Sequence, residues 1–424
     1  MIGEKLCHKK MKNGLNVYVL HKKGYNKKYA VFATHYGSID NKFVVPGETE
    51  PLEVPEGIAH FLEHKLFEEE FGNIFDKFAD LGASANAYTN YTYTAYLFSC
   101  TSRFEENLNL LLDFVQRPYF TKENVEKEKG IIEQELRMYQ DDPHWSVLHN
   151  LLQSLYRLHP IRIDIGGTVE SIQKIDVETL YKCYETFYHP ENMVLFIVGD
   201  FDVIRVFELV EKNISKREYK PRGKITRIYP EESKEINQKK VTKRMSVSRP
   251  LVNIGFKDNN NGFRGRDLFK KIVTSEILLH MLFGKSSELF WKLYDDDLID
   301  DNFDFDYEGN VDYGFAIIGT PTRDPDKLHA KLLEGIEYYR KKSFEKDDYI
   351  RTKNMVTGNY IKGFNSLEFI SMLFVGNYFK QINVLDFIEV LGEITFEDVE
   401  KRFYELLNPD YHSCSVIEPI STKS

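Results

Sequence analysis

Residues 57–68 read GIAHFLEHKLFE, and their side chains can do chemistry. His60 and His64 stand four apart, with Glu63 between them. On a helix, positions i, i+3 and i+4 share a face, so these three groups project together. Two neutral imidazoles one turn apart can chelate a single divalent ion. A glutamate on the same face can act as general base toward water that such an ion acidifies. The order His-x-x-Glu-His reverses the familiar His-Glu-x-x-His and matches the inverzincin pattern. Ile58, Phe61, Leu62, Leu66 and Phe67 surround the trio. The alternative is an apolar buried helix with incidental polar groups, but burying all three without a metal is costly.

A catalytic zinc usually takes three protein ligands and leaves a fourth position open. The segment TKENVEKEKGIIEQELRMYQ, residues 121–140, supplies a candidate third ligand. At ~100° per residue its apolar stripe is expected to be Val125, Ile131, Ile132, Leu136 and Tyr139. Glu126 and Glu133 fall off that stripe, near Arg137, whereas Glu128 and Glu135, seven apart, fall within it. Carboxylates on a buried helix face need a partner. Glu135 is therefore assigned as third ligand, and Glu128 as an active-site carboxylate that orients a ligand or the water. Simple ion pairing of both glutamates is the competing account.

The elements that must position these residues can be read along the chain. A strand–turn–strand opening (KNG before LNVYVL, then YAVFATHYGS) precedes the histidine helix. A second helix is expected over 70–81, ending at Gly82. Residues 83–101, ASANAYTNYTYTAYLFSCT, alternate with period two and read as long β structure. Helices are expected at 103–116, 121–141 and 144–157, and NMVLFIVGDF (192–201) reads as a buried strand. Residues 213–245 are highly charged and without periodicity, which marks a domain boundary. Beyond it the order recurs: a strand at 249–257, helices at 266–283 and 286–296, strands within 302–320, helices to about 407, and a closing strand in YHSCSVIEP. LHMLFGKSSELF (279–290) takes the place of AHFLEHKLFEEEF without its second histidine and its glutamate. The expected fold is α+β, with two similarly built halves. Each is a mostly antiparallel or mixed sheet covered by helices, and together they form a clam-like cleft. Residues 1–218 read as the metal-bearing catalytic domain, 219–245 as a charged linker, and 246–424 as a homologous domain with a degenerate site.

Composition excludes several classes. A chain of 424 residues has length for two or three domains. It is 42% hydrophobic and 29% charged, as in ordinary globular proteins, and its 31 Phe and 26 Tyr predict aromatic packing. A net charge of −10 disfavours nucleic acid and anionic membranes as partners. KKVTKRMSVSR (239–249) is a short basic exception that reads as a solvated strand or linker. Cys7, Cys100, Cys183 and Cys414 form no CxxC pair, so neither a disulfide framework nor a zinc knuckle is expected. No apolar signal region is visible near the start and no run is long enough to span a bilayer, so a cytoplasmic protein is expected.

HFLEH, with EKGIIEQE placed 64–71 residues after His64, resembles the pitrilysin/insulinase/mitochondrial-processing-peptidase superfamily. The likeness covers nearly the whole chain and is closest to bacterial two-domain members of about 420 residues. GASANAYT (82–89), NMVLFIVGDFD and LFGKSSELF fit the family's Asn-Ala strand, first-domain terminal strand and second-domain helix pair. The resemblance implies a zinc metalloendopeptidase with one zinc held by His60, His64 and Glu135. It makes Glu63 the general base and Glu128 the auxiliary carboxylate. An edge strand there can take up an extended peptide substrate by β-addition, with Asn86 bonding the peptide backbone beside Ala85 and Ala87. Tyr88, Tyr91, Tyr93 and Tyr96 read as packing or cleft wall. Active relatives often carry an arginine and a tyrosine in the second domain to stabilise the oxyanion. The corresponding LFWKLYDDDLIDDNF (289–303) has Tyr294 but no arginine. This departure implies a heterodimer with a homologous, metal-free M16-like subunit that supplies the pair; a homodimer is the other arrangement. The runner-up function is a catalytically silent structural or chaperone-like subunit. Manganese or cobalt could replace zinc in an N,N,O site.

Overall fold

A computed structural model of the chain describes residues 5–70, 72–217, 219 and 223–420. The main-sheet strands, in chain order, are β1 (Leu6–Lys10), β2 (Asn16–His21), β3 (Lys28–Thr34), β4 (Ala83–Thr89), β5 (Thr94–Cys100), β6 (Met193–Gly199), β7 (Lys240–Met245), β8 (Leu251–Lys257), β9 (Asp304–Gly309), β10 (Gly314–Pro321) and β11 (His412–Pro419). Six helices matter below: α1 (Ile58–Leu66), α2 (Lys122–Asp141), α3 (Pro143–Leu155), α4 (Gly265–Phe283), α5 (Pro325–Lys342) and α6 (Leu367–Tyr378). The α+β class expected from the sequence holds. The stretch 83–101 is a hairpin, because the Asn90 side chain accepts from the backbone N–H groups of Thr92 and Tyr93 and turns the chain between β4 and β5.

The chain forms two compact units. The first takes residues up to Leu136, Ile163–Tyr229 and Gly363–Phe379; the second takes Arg137–Arg162, Pro230–Lys362 and residues from Lys380 onward. The first unit's sheet has the order β1-β2-β6-β3-β5-β4, and the second's is β7-β11-β8-β10-β9. Without β1 the two are alike in order and polarity. β2 runs parallel to β6 as β7 does to β11, and every later pair is antiparallel. β6, MVLFIVG, is central and buried on both faces, which is why it is a continuous apolar run. Phe32, Phe61, Tyr96, Phe98, Phe114 and Phe187 lie in the aromatic core of the first unit.

These units cross the linear division read from the sequence. α3 belongs to the second unit and packs on β8 and β11, while α6 belongs to the first and packs on β3 and β6. Gly255 in β8 makes room for α3: a Cβ there would come within 2.9 Å of the Leu151 and Leu155 side chains. Residues 219–245, read as a linker, contain Thr226–Arg227, which pairs with Val44 and Phe43, and β7. The boundary placed at 218 lies outside the described residues. The helix expected over 70–81 is shorter, Ile74–Asp80, because Asn73 caps it by accepting from the Phe75 N–H. No helix among the described residues is long and apolar enough to cross a membrane.

The second unit buries a charge cluster. Asp258 accepts from Tyr307 at 2.6 Å, pairs with Lys271 at 2.8 Å, and accepts from Arg402. Burial pushes its carboxyl up, but the Arg402 and Lys271 cations beside it hold it down to about 2. Its folded-state value is depressed, so its contribution is complete above the ordinary aspartate range near ~3.9 and is lost as pH falls toward 2. Asp258→Ala strands two buried cations and is expected to cost about 3–5 kcal/mol, read as a fall in the urea midpoint of this unit. A midpoint unchanged from wild type rules out this account.

Candidate metal centre

α1 carries the histidines, and glycines set its entry. Gly57, its N-cap, has φ 84°, and a Cβ there would lie 2.1 Å from the Gly166 carbonyl oxygen. Gly167, φ 78°, makes the reciprocal approach to the Glu56 carbonyl, and Ser171 Oγ donates to that same carbonyl at 2.8 Å. Only glycines tolerate both the left-handed backbone and the close approach. Ile58, Phe61, Leu62 and Leu66 bury the other sides of α1.

α2 supplies the carboxylates, but its buried stripe differs from the one expected. Val125, Glu128, Lys129, Ile132 and Leu136 are buried, whereas Ile131 is 45% and Tyr139 is 38% exposed. The helix turns Ile131 toward a neighbouring cavity and keeps the glutamates inward. His60 Nε2 lies 3.8 Å from Glu135 Oε1, and His64 Nε2 lies 3.3 Å from Glu135 Oε2. One ligand atom from each of His60, His64 and Glu135 falls within 4.8 Å of the others, so this group could hold a metal ion. No other cluster of three such donors occurs among the described residues, including the α4 region that corresponds to α1 in the second unit.

Glu128 stands behind His64: its Oε1 is 3.1 Å from His64 Nδ1. An Nδ1–H donating to that carboxylate leaves the Nε2 lone pair facing His60 and Glu135, the tautomer a ligating histidine needs. Lys65, fully buried, contacts Glu128 Oε2 at 3.5 Å and also pairs with Glu68. Burial pushes Glu128 up, but His64 and Lys65 hold it below the ordinary glutamate range. Burial, with His64 alongside, lowers His60; burial also opposes charge on His64, but hydrogen bonds to Glu128 and Glu135 raise it. The His60 Nδ1 is buried and has no hydrogen-bond partner. Two imidazole nitrogens and a carboxylate, converging where each side chain is half-buried, fit a zinc-type ion. A cation must displace the proton that His64 holds, so uptake weakens as pH falls.

Glu63 is buried and accepts from Thr89 Oγ1 at 2.8 Å. Burial raises its carboxyl toward the working range of a general base, against the lowering effect of Thr89. Asp164 is pushed up to about 6 by burial, the Glu135 charge adding to the effect. A cavity of about 630 Å³ opens beside Glu63 and His64, with Phe67, Phe75, Ala87 and Ile131 in its wall. β4 is the outer strand of its sheet, so among the described residues no strand pairs with its other edge. Asn86 is exposed, but its Oδ1 accepts from the Ala87 N–H at 2.9 Å and so caps one edge donor itself. Ala85 and Ala87 lie beside it, half-buried. Of the tyrosines, Tyr88 meets Tyr93 at 3.1 Å and Tyr96 meets Tyr188 at 2.8 Å, both as hydroxyl pairs within the packing.

The chain is 46% identical over 424 residues to the uncharacterised zinc protease YmfH of Bacillus subtilis, covering 99% of this chain and 98% of that one. It belongs to the M16 peptidase family. Residues 49–169 match the family described as Insulinase (Peptidase family M16), and residues 174–356 match Peptidase M16 inactive domain. An M16-like peptidase from Alicyclobacillus acidocaldarius superposes with a TM-score of 0.95, at 36% identity and 99% coverage of both chains. A protease from Helicobacter pylori shares the fold at a TM-score of 0.82, with 18% identity, over 98% of this chain and all of that one. In this M16 chain, sequence reasoning missed Thr89, Lys65 and the Gly166–Gly167 turn. Thr89 ends the segment GASANAYT, but nothing local ties it to Glu63. Thr89→Val removes a hydrogen bond that lowers the Glu63 carboxyl, so the acid limb of kcat/KM is expected to move to higher pH. A pH–rate profile checks this, and an unmoved limb excludes the contact from the chemistry.

Proposed function

We propose that this M16 chain is a zinc-dependent metalloendopeptidase that cleaves extended peptides or small unfolded polypeptides. The observation that carries the reading is the convergence of His60, His64 and Glu135 within 4.8 Å, with buried Glu63 on the same helix. His60, His64 and Glu135 would hold one zinc per chain, which when bound supplies Lewis-acid polarisation of a carbonyl and acidification of water. Glu63 takes the proton from the attacking water and passes it to the leaving amine. Glu128 fixes the tautomer and orientation of His64, and Lys65 keeps that carboxylate charged. The free edge of β4 receives the peptide backbone, with Asn86 releasing the Ala87 N–H to pair with it and Ala85 leaving room alongside. The adjoining cavity, with its Phe67 and Phe75 wall, takes a peptide side chain.

The chain works as the metal-bearing member of a heterodimer whose homologous, metal-free partner supplies an arginine and a tyrosine. What supports this is the stretch 289–303, which offers Tyr294, 43% exposed, and no arginine. All four cysteines are free, in keeping with a reducing, cytoplasmic setting. Metal analysis with hydrolysis of a quenched peptide tests the enzyme reading; a chain that binds no metal and cleaves nothing in any pairing is instead a silent subunit. For the pairing itself, the purified chain alone is expected to turn over slowly, and full activity without a partner counts against it.

A further inference from the structure

We propose that His329 and His412 form a second binding site for a divalent transition-metal ion, within the second unit and separate from the α1–α2 centre. His412 opens β11, and His329 lies in the second turn of α5. Their Nε2 atoms are 3.1 Å apart. Two nitrogens bound to one tetrahedral zinc at ~2.0–2.1 Å stand about 3.3 Å from each other, so the rings already have bidentate spacing. The His412 Nδ1–H donates to the Pro409 carbonyl at 2.5 Å, and this fixes its lone pair on Nε2, pointing at His329. With that tautomer set, a proton or a cation must lie between the two nitrogens, because facing lone pairs repel.

Asp326 sits three residues before His329 on α5, on the same helix face, and pairs with Lys240 at 2.5 Å. Held there, it is not within ligand distance of the pair, so the site rests on the two imidazoles. His329 is half-buried, so water reaches the pair and can complete the coordination. Two imidazoles with water or carboxylate select zinc, nickel or copper over calcium or magnesium. An ion here would tie the start of β11 to α5.

The site does not depend on the α1–α2 reading, and the test separates them. His64→Ala impairs the first centre, and equilibrium dialysis against Zn²⁺ with metal analysis then counts what remains. The expected result is one zinc per chain in His64→Ala, with affinity falling by more than roughly 10-fold when His329→Gln is added. His329→Gln is the informative variant because its side chain is partly exposed. Alone, it should leave peptide hydrolysis at wild-type level. Cu²⁺ electron paramagnetic resonance on His64→Ala should show two-nitrogen coordination that His329→Gln or His412→Gln reduces. Zinc uptake and a Cu²⁺ spectrum both unchanged by His329→Gln would overturn the proposal.

Discussion

Glu63→Gln is expected to lower peptide hydrolysis by about 10²–10⁴-fold while leaving metal content unchanged. The amide keeps the shape of the side chain and can still contact Thr89, whose hydroxyl lies 2.8 Å from Glu63 Oε2. What it loses is the capacity to take a proton from water. Glu63 is not among the three converging ligand atoms, so the ion should stay. Burial raises its carboxyl, so wild-type activity should fall on the acid side at a pH above the ordinary glutamate range. As pH drops through that raised value the base becomes protonated and the rate declines with it. Rate and metal must be measured on the same preparation. Loss of both together would move Glu63 from base to ligand, and loss of neither would remove it from the site.

Much of this site is local, which is why it can be read from residues alone. His60, Glu63 and His64 are tied by helix geometry, and the seven-residue spacing of Glu128 and Glu135 places both on one face of α2. The expected stripe nevertheless included Ile131 and Tyr139, which are exposed. Apolar type alone does not mark burial there: Ile131 lines a cavity and Lys129 occupies the buried face instead. Contacts made through tertiary packing left no local trace. Lys65 looks like an ordinary helix-end cation in sequence, yet it is fully buried against Glu128. The recurring order of elements along the chain was legible from alternation, whereas the order of strands within each sheet was not, because pairing is set by tertiary contacts. Nor was it legible that α3 packs on the second unit's sheet and α6 on the first's, because an amphipathic helix declares that it has an apolar face but not which sheet covers it.

In a His329→Gln background, Glu135→Ala should abolish metal retention at the α1–α2 centre and peptide hydrolysis together, with affinity there falling by more than roughly 100-fold. The prediction turns on the register of one helix. Glu133, two residues earlier, is the same residue type, and helical spacing puts it well off the face shared by Glu128 and Glu135. Glu133→Ala should therefore leave metal content and rate near wild type. Glu128→Gln should fall between the two, at about 10–100-fold weaker metal binding, because Glu128 contacts His64 Nδ1 rather than the face where the three ligand atoms meet. Each change removes one carboxylate from the same helix, so a general electrostatic effect would weaken all three alike. A graded order of Glu135, then Glu128, then Glu133 arises only if geometry decides, and dialysis of the three variants against a zinc-buffered series reads that order directly.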